Sequence, residues 1–247
     1  LQFAIRPNKP IIITASQRSI DRGSSDAFLN LISAVNAAAN WKGNEIAVCL
    51  HGTPADTYCD LIPASKVRKI HTSRRDAFRP INTTALAKVY GADKIENLRD
   101  ATTNDKTEIE NGFSNDVALI YVHPGMDETF VDNLSSYKGI ILMGTGLGHI
   151  PQSTYKAFKG LVDKGIFVGM TSQCLYGRTS PTVYSALRRI NLEVGITFLS
   201  DMLPETAFVK LCWLVDKETD IAIISKLMKE NMVGEINEHH TFEHYLN

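Results

Sequence analysis

The sequence predicts an α/β protein of two domains, each built on a parallel sheet. Apolar runs of strand length alternate along the chain with stretches in which apolar residues recur every three or four positions. The chain has 247 residues, of which 44% are hydrophobic, so it is long enough for one large or two modest domains with a buried core. Near the middle this pattern weakens, which favours two domains.

The first domain is expected to begin with a strand, a helix and a second strand. Residues 10–14 (Pro-Ile-Ile-Ile-Thr) form the first clear strand, and residues 24–26 (Ser-Ser-Asp) are suited to cap the helix that follows. That helix is expected to run to Asn40, and residues 45–50 predict the second strand. The apolar residues at helical spacing are Phe28, Leu31, Ile32 and Val35.

Polar and charged residues dominate between residues 78 and 115, so a connecting segment is expected there. We place the domain boundary near Asn115. Residues 1–115 then form the first domain with its linker, and residues 116–247 form a smaller α/β domain. The strands expected in the second domain are 117–122, 140–143 and 166–171, and its helices are 153–164, 204–214 and 220–229.

The composition narrows the possible partners. Lys and Arg total 26 against 27 for Asp and Glu, so no global field attracts nucleic acid or a membrane surface. No apolar run approaches the roughly 20 residues that span a bilayer. The four cysteines form neither a disulfide framework nor a CxxC pair, which favours a reducing cytoplasm. We therefore expect no membrane partner and no cofactor.

Residues 144–149 (Gly-Thr-Gly-Leu-Gly-His) follow a predicted strand, and their glycines would let backbone N–H groups approach an anion. A dinucleotide fingerprint needs its third glycine three residues after the second, whereas Gly148 comes two residues after Gly146, and the P-loop lysine is absent. A tight turn between strand and helix, or a loop that faces a ligand, is the better interpretation.

Six basic residues lie close together in the sequence. Three interpretations are open: a surface that contacts phosphates, a solvated face, or a lysine whose pKa is lowered by neighbouring positive charge. The only acidic residue among them is Asp76. The cluster consists of Lys66, Arg68, Lys69, Arg74, Arg75 and Arg79.

A C-terminal group of histidines and the single residue His51 are candidates for chemistry. Near the C terminus, histidines four residues apart would share a helix face as metal ligands do, but the order is not H-E-x-x-H and the tail is polar, so a surface position is expected and no metal. The residues concerned are Glu238, His239, His240, Glu243 and His244. His51 ends a strand and is expected to satisfy local hydrogen bonds rather than act as a base.

Five separated segments occur in the order used by the L-asparaginase/glutaminase family. They are residues 10–18, 21–27, 69–78, 144–149 and 201–207, and the resemblance they carry extends over nearly the whole chain. Together with residues 67–78 and 234–236, they resemble most the branch formed by the D subunits of archaeal glutamyl-tRNA(Gln) amidotransferases. The resemblance implies a large N-terminal and a smaller C-terminal α/β domain, with active sites completed across a homodimer.

The resemblance also implies a reaction. In this family a threonine attacks the side-chain amide, and water resolves the acyl-enzyme; glutamine serves as ammonia donor in the tRNA-linked branch. A catalytic lysine carries over onto Lys69, where it would help deprotonate the threonine. His149 corresponds to a polar residue that the smaller domain supplies to the substrate, and Ser172 and Gln173 are further candidates for substrate binding.

The family's threonine motifs, TGGT and HGTDT, do not occur in these 247 residues. Residues 51–56 (His-Gly-Thr-Pro-Ala-Asp) resemble the second motif, but they follow the Ser-Ser-Asp segment and carry Pro54 in place of Asp, so we interpret them as the loop before the lysine strand. The absence of an initiating Met leads us to expect a piece of a longer protein, with an incomplete N-terminal domain, rather than a shortened relative.

Three functions therefore remain open. The first is a glutaminase subunit that supplies ammonia to a kinase-like, amidating partner subunit of the E type, which acts on glutamate carried by tRNA. The second is a free L-asparaginase. The third is a scaffold without hydrolytic activity that docks a partner, an alternative that the missing threonines favour.

Overall fold

The computed structural model describes residues 1–245, except for the side chain of Glu243, and it divides into two compact units. The first unit comprises residues 1–110 and the segment that begins at His240, and the second comprises Asn111–His239. The boundary expected near Asn115 falls within the first residues of the second unit. The final residues of the expected C-terminal domain, 246–247, lie outside the described residues.

The first unit is built around a five-stranded sheet that is covered by one long helix. The sheet has the order β2-β3-β4-β7-β8, while β5 pairs with β6 and β1 pairs with β9. The helix is α1 (Ala27–Asn40), and the strands are β1 (Ile5–Arg6), β2 (Ile11–Ile13), β3 (Ile46–His51), β4 (Cys59–Pro63), β5 (Val67–Lys69), β6 (Phe78–Pro80), β7 (Ala87–Tyr90), β8 (Lys94–Asn97) and β9 (Glu108–Ile109).

The α/β class is confirmed, but the sheet of the first unit is mixed instead of parallel. Only β2 and β3 run parallel, and every later pair of the sheet is antiparallel. The reason is the length of the connections. Residues 52–58 join β3 to β4 and residues 91–93 join β7 to β8, and loops this short connect only antiparallel neighbours.

The expected connecting segment between residues 78 and 115 also holds four strands, β6 to β9. Its apolar pattern is weak because β8 is an edge strand made mostly of exposed polar residues. Charged residues on an edge strand protect it from pairing with another chain. They also replace the alternation of apolar and polar residues by which a strand is predicted from sequence.

Helix α1 ends at Asn40 as expected, but its apolar stripe does not face the sheet. Phe28 is 74% exposed, Leu31 57% and Val35 61%. The buried face instead carries small or polar residues, among them Asn30 and Ala37. The core beneath it consists of Ala34, Ala37, Trp41, Ala47, Cys49, Cys59, Leu61, Leu86, Ala87 and Val89.

The second unit contains a four-stranded sheet of order β10-β11-β12-β13 in which all neighbours are parallel, as the sequence predicted. Its strands are β10 (Val117–Tyr121), β11 (Gly139–Gly144), β12 (Phe167–Ser172) and β13 (Thr197–Phe198). Its α-helices are α2 (Glu128–Asp132), α3 (Tyr155–Asp163), α4 (Ser185–Arg189), α5 (Pro204–Leu214) and α6 (Ile221–Lys229).

The central strands of this sheet are covered on both faces, which explains their continuous apolar sequence. Ile140 and Leu142 join a core with Phe158 of α3, and the intervening residues of β11 point the other way. There α5 packs so closely that a Cβ at Gly139 would lie 2.6 Å from Leu211 Cδ2. Among the described residues, no helix is long and apolar enough to cross a membrane.

Candidate functional site

In the first unit, polar side chains gather where the parallel strands β2 and β3 end. Thr14 follows β2 and donates from Oγ1 to the carbonyl of Cys49 at 2.8 Å. The loop after Thr14 is closed by Asp26, the residue directly before α1, whose carboxylate accepts from the backbone N–H groups of Gln17 and Arg18 at 2.9–3.0 Å. Asp26 stands at the start of α1 as expected, but its side chain makes no capping hydrogen bond to the helix and instead shapes this loop.

Asn30 lies at the centre of this network and is buried. Its Nδ2 donates to the carbonyl of Ala15 and to Oδ2 of Asp26, both at 2.9 Å. Its Oδ1 is 2.6 Å from Nδ1 of His51 and accepts from Sγ of Cys59 at 3.3 Å. The buried face of α1 is therefore polar here because it serves hydrogen bonds and not apolar packing.

His51, the last residue of β3, is fully buried. Its Nε2 lies 3.1 Å from Oδ1 of Asp56, so both ring nitrogens have partners, and this agrees with the expectation that His51 satisfies local hydrogen bonds. Burial opposes its charge, but hydrogen bonds with Cys59 and Asp56 outweigh burial and raise the pKa of His51. The hydrogen bond with His51, and then the one with Arg75, lower the pKa of Asp56.

The loop after His51 is held by its own side chains. Thr53 Oγ1 donates to the carbonyl of Ala55 at 3.0 Å and lies 2.9 Å from Oγ1 of Thr57. No described hydrogen bond joins Thr53 to a base. The geometry is that of a structural turn, in keeping with our interpretation of residues 51–56 as the loop before the lysine strand.

Lys69 ends β5 and is exposed, opposite Phe78 in the antiparallel register of β5 and β6. Its Nζ lies 5.7 Å from the centroid of the Phe78 ring. The hairpin continues beyond the strands, because the backbone N–H of Ile70 donates to the carbonyl of Ala77 at 2.8 Å. We refer to residues 67–80 as the Lys69 hairpin.

Two arginines attach the Lys69 hairpin to the loop after His51. Arg75 Nη1 donates to Asp56 Oδ1 at 2.7 Å, and its Nη2 donates to the carbonyl of Pro54. Arg79 Nη1 donates to the carbonyl of Gly52 at 2.7 Å. These contacts set the position of the hairpin that presents Lys69.

Three arginines of the six-residue basic cluster lie beside acidic partners. Arg74 forms two hydrogen bonds of 2.8 Å with the carboxylate of Asp76, Arg75 pairs with Asp56, and Arg79 lies 3.9 Å from Asp60. Arg75 is also mostly buried, with a side chain 17% exposed. The structure thus pairs these three arginines within the fold, which weakens the interpretation of the cluster as a phosphate-binding surface.

The pKa values of a carboxyl group and two thiols in β3 and β4 are also shifted. Burial raises the pKa of Asp60 to about 6, and the charges of Arg79 and Lys88 oppose this only in part. Between the buried thiols Cys49 and Cys59, a mutual hydrogen bond raises the pKa of Cys49 and lowers that of Cys59, which a second hydrogen bond with His51 lowers further. All four cysteines of the chain are free thiols.

In the second unit, residues 144–149 form a tight turn after β11, as one of the two interpretations predicted. Thr145 and His149 pair across the turn, and both Gly146 and Gly148 have positive φ angles, 54° and 112°. A Cβ at Gly148 would lie 2.7 Å from Phe198 Cε1 and 2.8 Å from Met170 Cγ. The glycines thus serve backbone conformation and close packing.

His149 lines a cavity of about 350 Å³ beside the carboxyl ends of β10 and β11. Its ring centroid is 5.7 Å from that of Tyr184. The cavity is lined by Val122, His123, Pro124, Thr145, His149, Ile150 and Pro151. His123 was not predicted as a site residue, and Thr145 was predicted only as part of the turn at residues 144–149. Both closely follow parallel strands, where ligands of α/β sheets bind.

Ser172 and Gln173 lie next to the same turn, but their side chains are used within the unit. Ser172 Oγ donates to the carbonyl of Gly146 at 2.6 Å. Gln173 Nε2 donates to the carbonyls of Val122 and Met143 at 2.6 and 2.9 Å. The structure therefore brings Ser172, Gln173 and His149 to one edge of the second sheet, whereas Lys69 belongs to the first unit.

Among residues 1–245, apart from the undescribed side chain of Glu243, no group of three or more His, Cys, Asp or Glu side chains is placed to hold a metal ion. The rings of His240 and His244 lie 6.2 Å apart, edge to face. Glu243, which belongs to the same C-terminal group of candidate ligands, carries the side chain that lies outside the described part.

Most of the chain is similar to known proteins. Residues 1–103 match the family profile described as Asparaginase, N-terminal, and residues 116–228 match the one described as Glutaminase/Asparaginase C-terminal domain. In structure, the chain is similar to the thermostable L-asparaginase from Thermococcus kodakarensis, with a TM-score of 0.88 and 27% identity over 96% of this chain and 71% of that one.

Curated relatives are more similar in sequence. The D subunit of the glutamyl-tRNA(Gln) amidotransferase from Pyrococcus furiosus is 44% identical over 96% of this chain and 55% of its own length. That of Sulfolobus acidocaldarius is 44% identical over 98% of this chain and 56% of its own length. The chain thus spans about half the length of the curated relatives it matches. It belongs to the glutaminase/asparaginase family, in the branch of the glutamyl-tRNA(Gln) amidotransferase D subunits.

Proposed function

We propose that the full-length protein hydrolyses the side-chain amide of glutamine and supplies the ammonia for amidation of glutamate on tRNA(Gln). The observation that carries this proposal is the 44% identity, over 96% of the chain, to a relative named as the D subunit of a glutamyl-tRNA(Gln) amidotransferase. Both family profiles, which together extend over most of the chain, support amide hydrolysis.

In the proposed reaction a threonine hydroxyl from outside these 247 residues attacks the amide carbonyl, and ammonia leaves with the resulting acyl ester still bound. Water then cleaves the ester, which releases glutamate and regenerates the hydroxyl. Lys69 helps to accept the threonine proton during the attack. Its exposed position at the end of β5, on a hairpin held by Arg75 and Arg79, supports this role.

The second unit is proposed to bind substrate through His149. This side chain lines a cavity of about 350 Å³, a volume suited to an amino acid. Ser172 and Gln173 are proposed to support binding indirectly, because Ser172 holds the turn that carries His149 and Gln173 links Val122 to Met143 beside it. His123 and Thr145 line the same cavity and are additional contacts.

The remaining parts of the proposal concern assembly. A partner subunit that activates glutamate on the tRNA would consume the ammonia, so the protein would contact tRNA within that complex. Active sites completed across a homodimer and a cytoplasmic location belong to the same proposal. The pairing of Arg74, Arg75 and Arg79 with carboxylates argues against the Lys69 hairpin as the surface that contacts tRNA.

A free L-asparaginase is the second candidate, favoured by the TM-score of 0.88 to such an enzyme. Ammonia release from glutamine and from asparagine by the full-length protein separates the candidates, measured with and without the partner subunit and glutamyl-tRNA(Gln). We expect glutamine to be preferred and turnover to rise when partner and tRNA are added. Asparagine turnover that does not change when the partner subunit and the tRNA are added would show that the protein is an asparaginase. Partner binding without hydrolysis of either amide would show that it is a scaffold.

A further inference from the structure

The two ring nitrogens of His51 both face hydrogen-bond acceptors. Nε2 faces the carboxylate of Asp56 at 3.1 Å, and Nδ1 faces Asn30 Oδ1 at 2.6 Å. The amide of Asn30 cannot turn over, because its Nδ2 already donates to the carboxylate of Asp26 and to the carbonyl of Ala15. Only an imidazolium, with a proton on each nitrogen, donates to both partners.

A continuous series of contacts leads from this ring to the Lys69 hairpin. Asp56 accepts from His51 on one side and from Arg75 Nη1 at 2.7 Å on the other, through the same oxygen, Oδ1. Arg75 lies in the loop of the hairpin, five residues after the Ile70 N–H that closes it. His51 in turn is fixed to α1 by Asn30. The exposed hairpin is thereby tied to the core of the unit.

The charged and titratable groups around His51 agree with a positive ring. Asn30 faces it from α1, Asp26 from just before that helix, Asp56 from the loop after β3 and Cys59 from β4. Arg75 reaches the site only through Asp56. The carboxylates of Asp26 and Asp56 supply the negative charge that a buried imidazolium needs.

We propose that His51 is a positioning residue for Lys69. As an imidazolium, His51 fixes the Lys69 hairpin through Asp56 and Arg75. The ring is fully buried, so its effect on Lys69 passes through Asp56 and Arg75. The part of this proposal that concerns turnover rests on the proposed amidohydrolase function, whereas the part that concerns the hairpin stands on geometry alone.

The proposal makes turnover depend on pH. Below the pKa of His51 both hydrogen bonds are present; as the pH rises through that pKa, one nitrogen loses its proton and then opposes an acceptor. The hydrogen bond to Asp56 or to Asn30 is lost, the hairpin loosens, and kcat falls while KM changes little. His51→Gln, which has no proton to lose, should abolish this alkaline dependence.

The test uses the full-length protein with three substitutions. His51→Gln removes the cation, and Asp56→Asn weakens the link at a side chain that is 64% exposed, so it removes little packing. His239→Gln is the matched control, an exposed histidine of the second unit. Hydrogen exchange of residues 70–77 measures the hairpin, and kcat and KM for glutamine measure its consequence. Histidine-selective NMR titration gives the pKa of His51.

In both His51→Gln and Asp56→Asn, we expect hydrogen exchange of the Ile70 amide to become about tenfold faster, because each variant loses one hydrogen bond to a charged group. We expect kcat to fall on the order of tenfold to a hundredfold, because small displacements of a catalytic group are costly. His239→Gln should behave as wild type. Wild-type exchange and kcat in Asp56→Asn would overturn the proposal even if His51→Gln failed to fold. A wild-type protein without glutamine turnover would overturn the proposed function, and exchange alone would then decide the positioning role.

Discussion

Lys210 and Glu235 form an ion pair in the second unit in which both side chains are completely buried, with Nζ 2.6 Å from Oε1. Lys210 also donates to the carbonyl of Glu230 at 2.5 Å, and the Glu235 carboxylate accepts from the backbone N–H groups of Met232 and Val233. The pair thus fastens the segment after α6 to α5. Glu235 lies in the Gly-Glu-Ile sequence that contributed to the family resemblance.

Replacement of Lys210 by Met should strongly destabilise the second unit. It leaves the charge of Glu235 buried without a counter-ion, so we expect the free energy of unfolding to fall by about 3–5 kcal/mol. Chemical unfolding followed by the fluorescence of Trp213, in a Trp41→Phe background, reports on the second unit specifically, because Trp41 belongs to the first.

Two controls accompany this measurement. Adding Glu235→Gln to Lys210→Met removes the buried charge but keeps an acceptor for Met232 and Val233, so most of the lost stability should return. Lys159→Ala breaks an exposed pair with Asp163 and should cost less than about 1 kcal/mol. Equal losses for the buried and the exposed pair would contradict our account.

Gly148→Ala should destabilise the turn that carries His149. Alanine would have to adopt the φ of 112° that Gly148 has, which L residues rarely do, and its Cβ would lie within 2.8 Å of Phe198 and Met170. A cost of about 2–3 kcal/mol is expected from the sum of backbone strain and overpacking. Thermal unfolding of the second unit measures it.

Gly160→Ala is the matched control. Gly160 lies inside α3 with ordinary backbone angles and nothing near a new Cβ, so the substitution should stabilise the unit by about 0.5–1 kcal/mol through helix propensity. If Gly148→Ala proved as harmless as Gly160→Ala, the close packing of the turn against Phe198 would be refuted.

Lys69→Ala in the full-length protein should abolish glutaminase turnover and leave the fold intact. Lys69 is exposed, and its loss removes proton transfer but little packing, so turnover should fall at least about a hundredfold. Steady-state ammonia release and circular dichroism measure the two effects. Lys94→Ala, at a lysine paired with Glu96 on an edge strand, should leave turnover unchanged. Near-normal turnover of Lys69→Ala would remove Lys69 from the catalytic machinery.

Asp60→Asn should stabilise the first unit more at pH 7 than at pH 4. Because burial raises the pKa of Asp60 to about 6, the folded state keeps a proton that the unfolded state releases near pH 4, and stability from this group is lost progressively until the pH has risen through 6. Asparagine resembles the protonated acid at every pH. The effect of the substitution should therefore become more favourable between pH 4 and pH 7, by at most about 3 kcal/mol.

Urea unfolding of wild type and Asp60→Asn at both pH values measures this difference. Asp93→Asn, at an exposed carboxylate, should shift stability by less than about 0.5 kcal/mol at either pH. An Asp60→Asn effect that is independent of pH would show that Arg79 compensates the buried charge fully.

The elements of the second unit were largely predictable from sequence. Strands β10, β11 and β12 lie in a parallel sheet, and the two central ones are mostly apolar, with polar residues in β12 only at its end, Thr171 and Ser172, so each produces a clear apolar run. Helix α5 begins at Pro204 as predicted, and Asp220 caps α6 through the N–H groups of Ala222 and Ile223. Local chemistry decides such starts.

The first unit was less predictable because its sheet has an exposed edge and short strands. Strand β8 was not predicted because most of its residues are polar and exposed. The antiparallel pairing of β4 and β7 was not predictable either, because the paired residues are far apart in the sequence. The apolar spacing of Phe28, Leu31 and Val35 indicated a helix correctly, but spacing alone does not say which side of a helix meets the sheet.

The sequence by itself determined the α/β class, the order of most elements and the family, while Lys69 and His149 as site residues stay predictions from the resemblance. Only the tertiary structure decided how Asn30, His51, Asp56 and Arg75 meet. These four residues come from a helix, a strand end and two loops, and hydrogen bonds between such elements have no periodic signal along the chain. Their partnership depends on distances that exist only once β3 has paired and α1 has packed upon it.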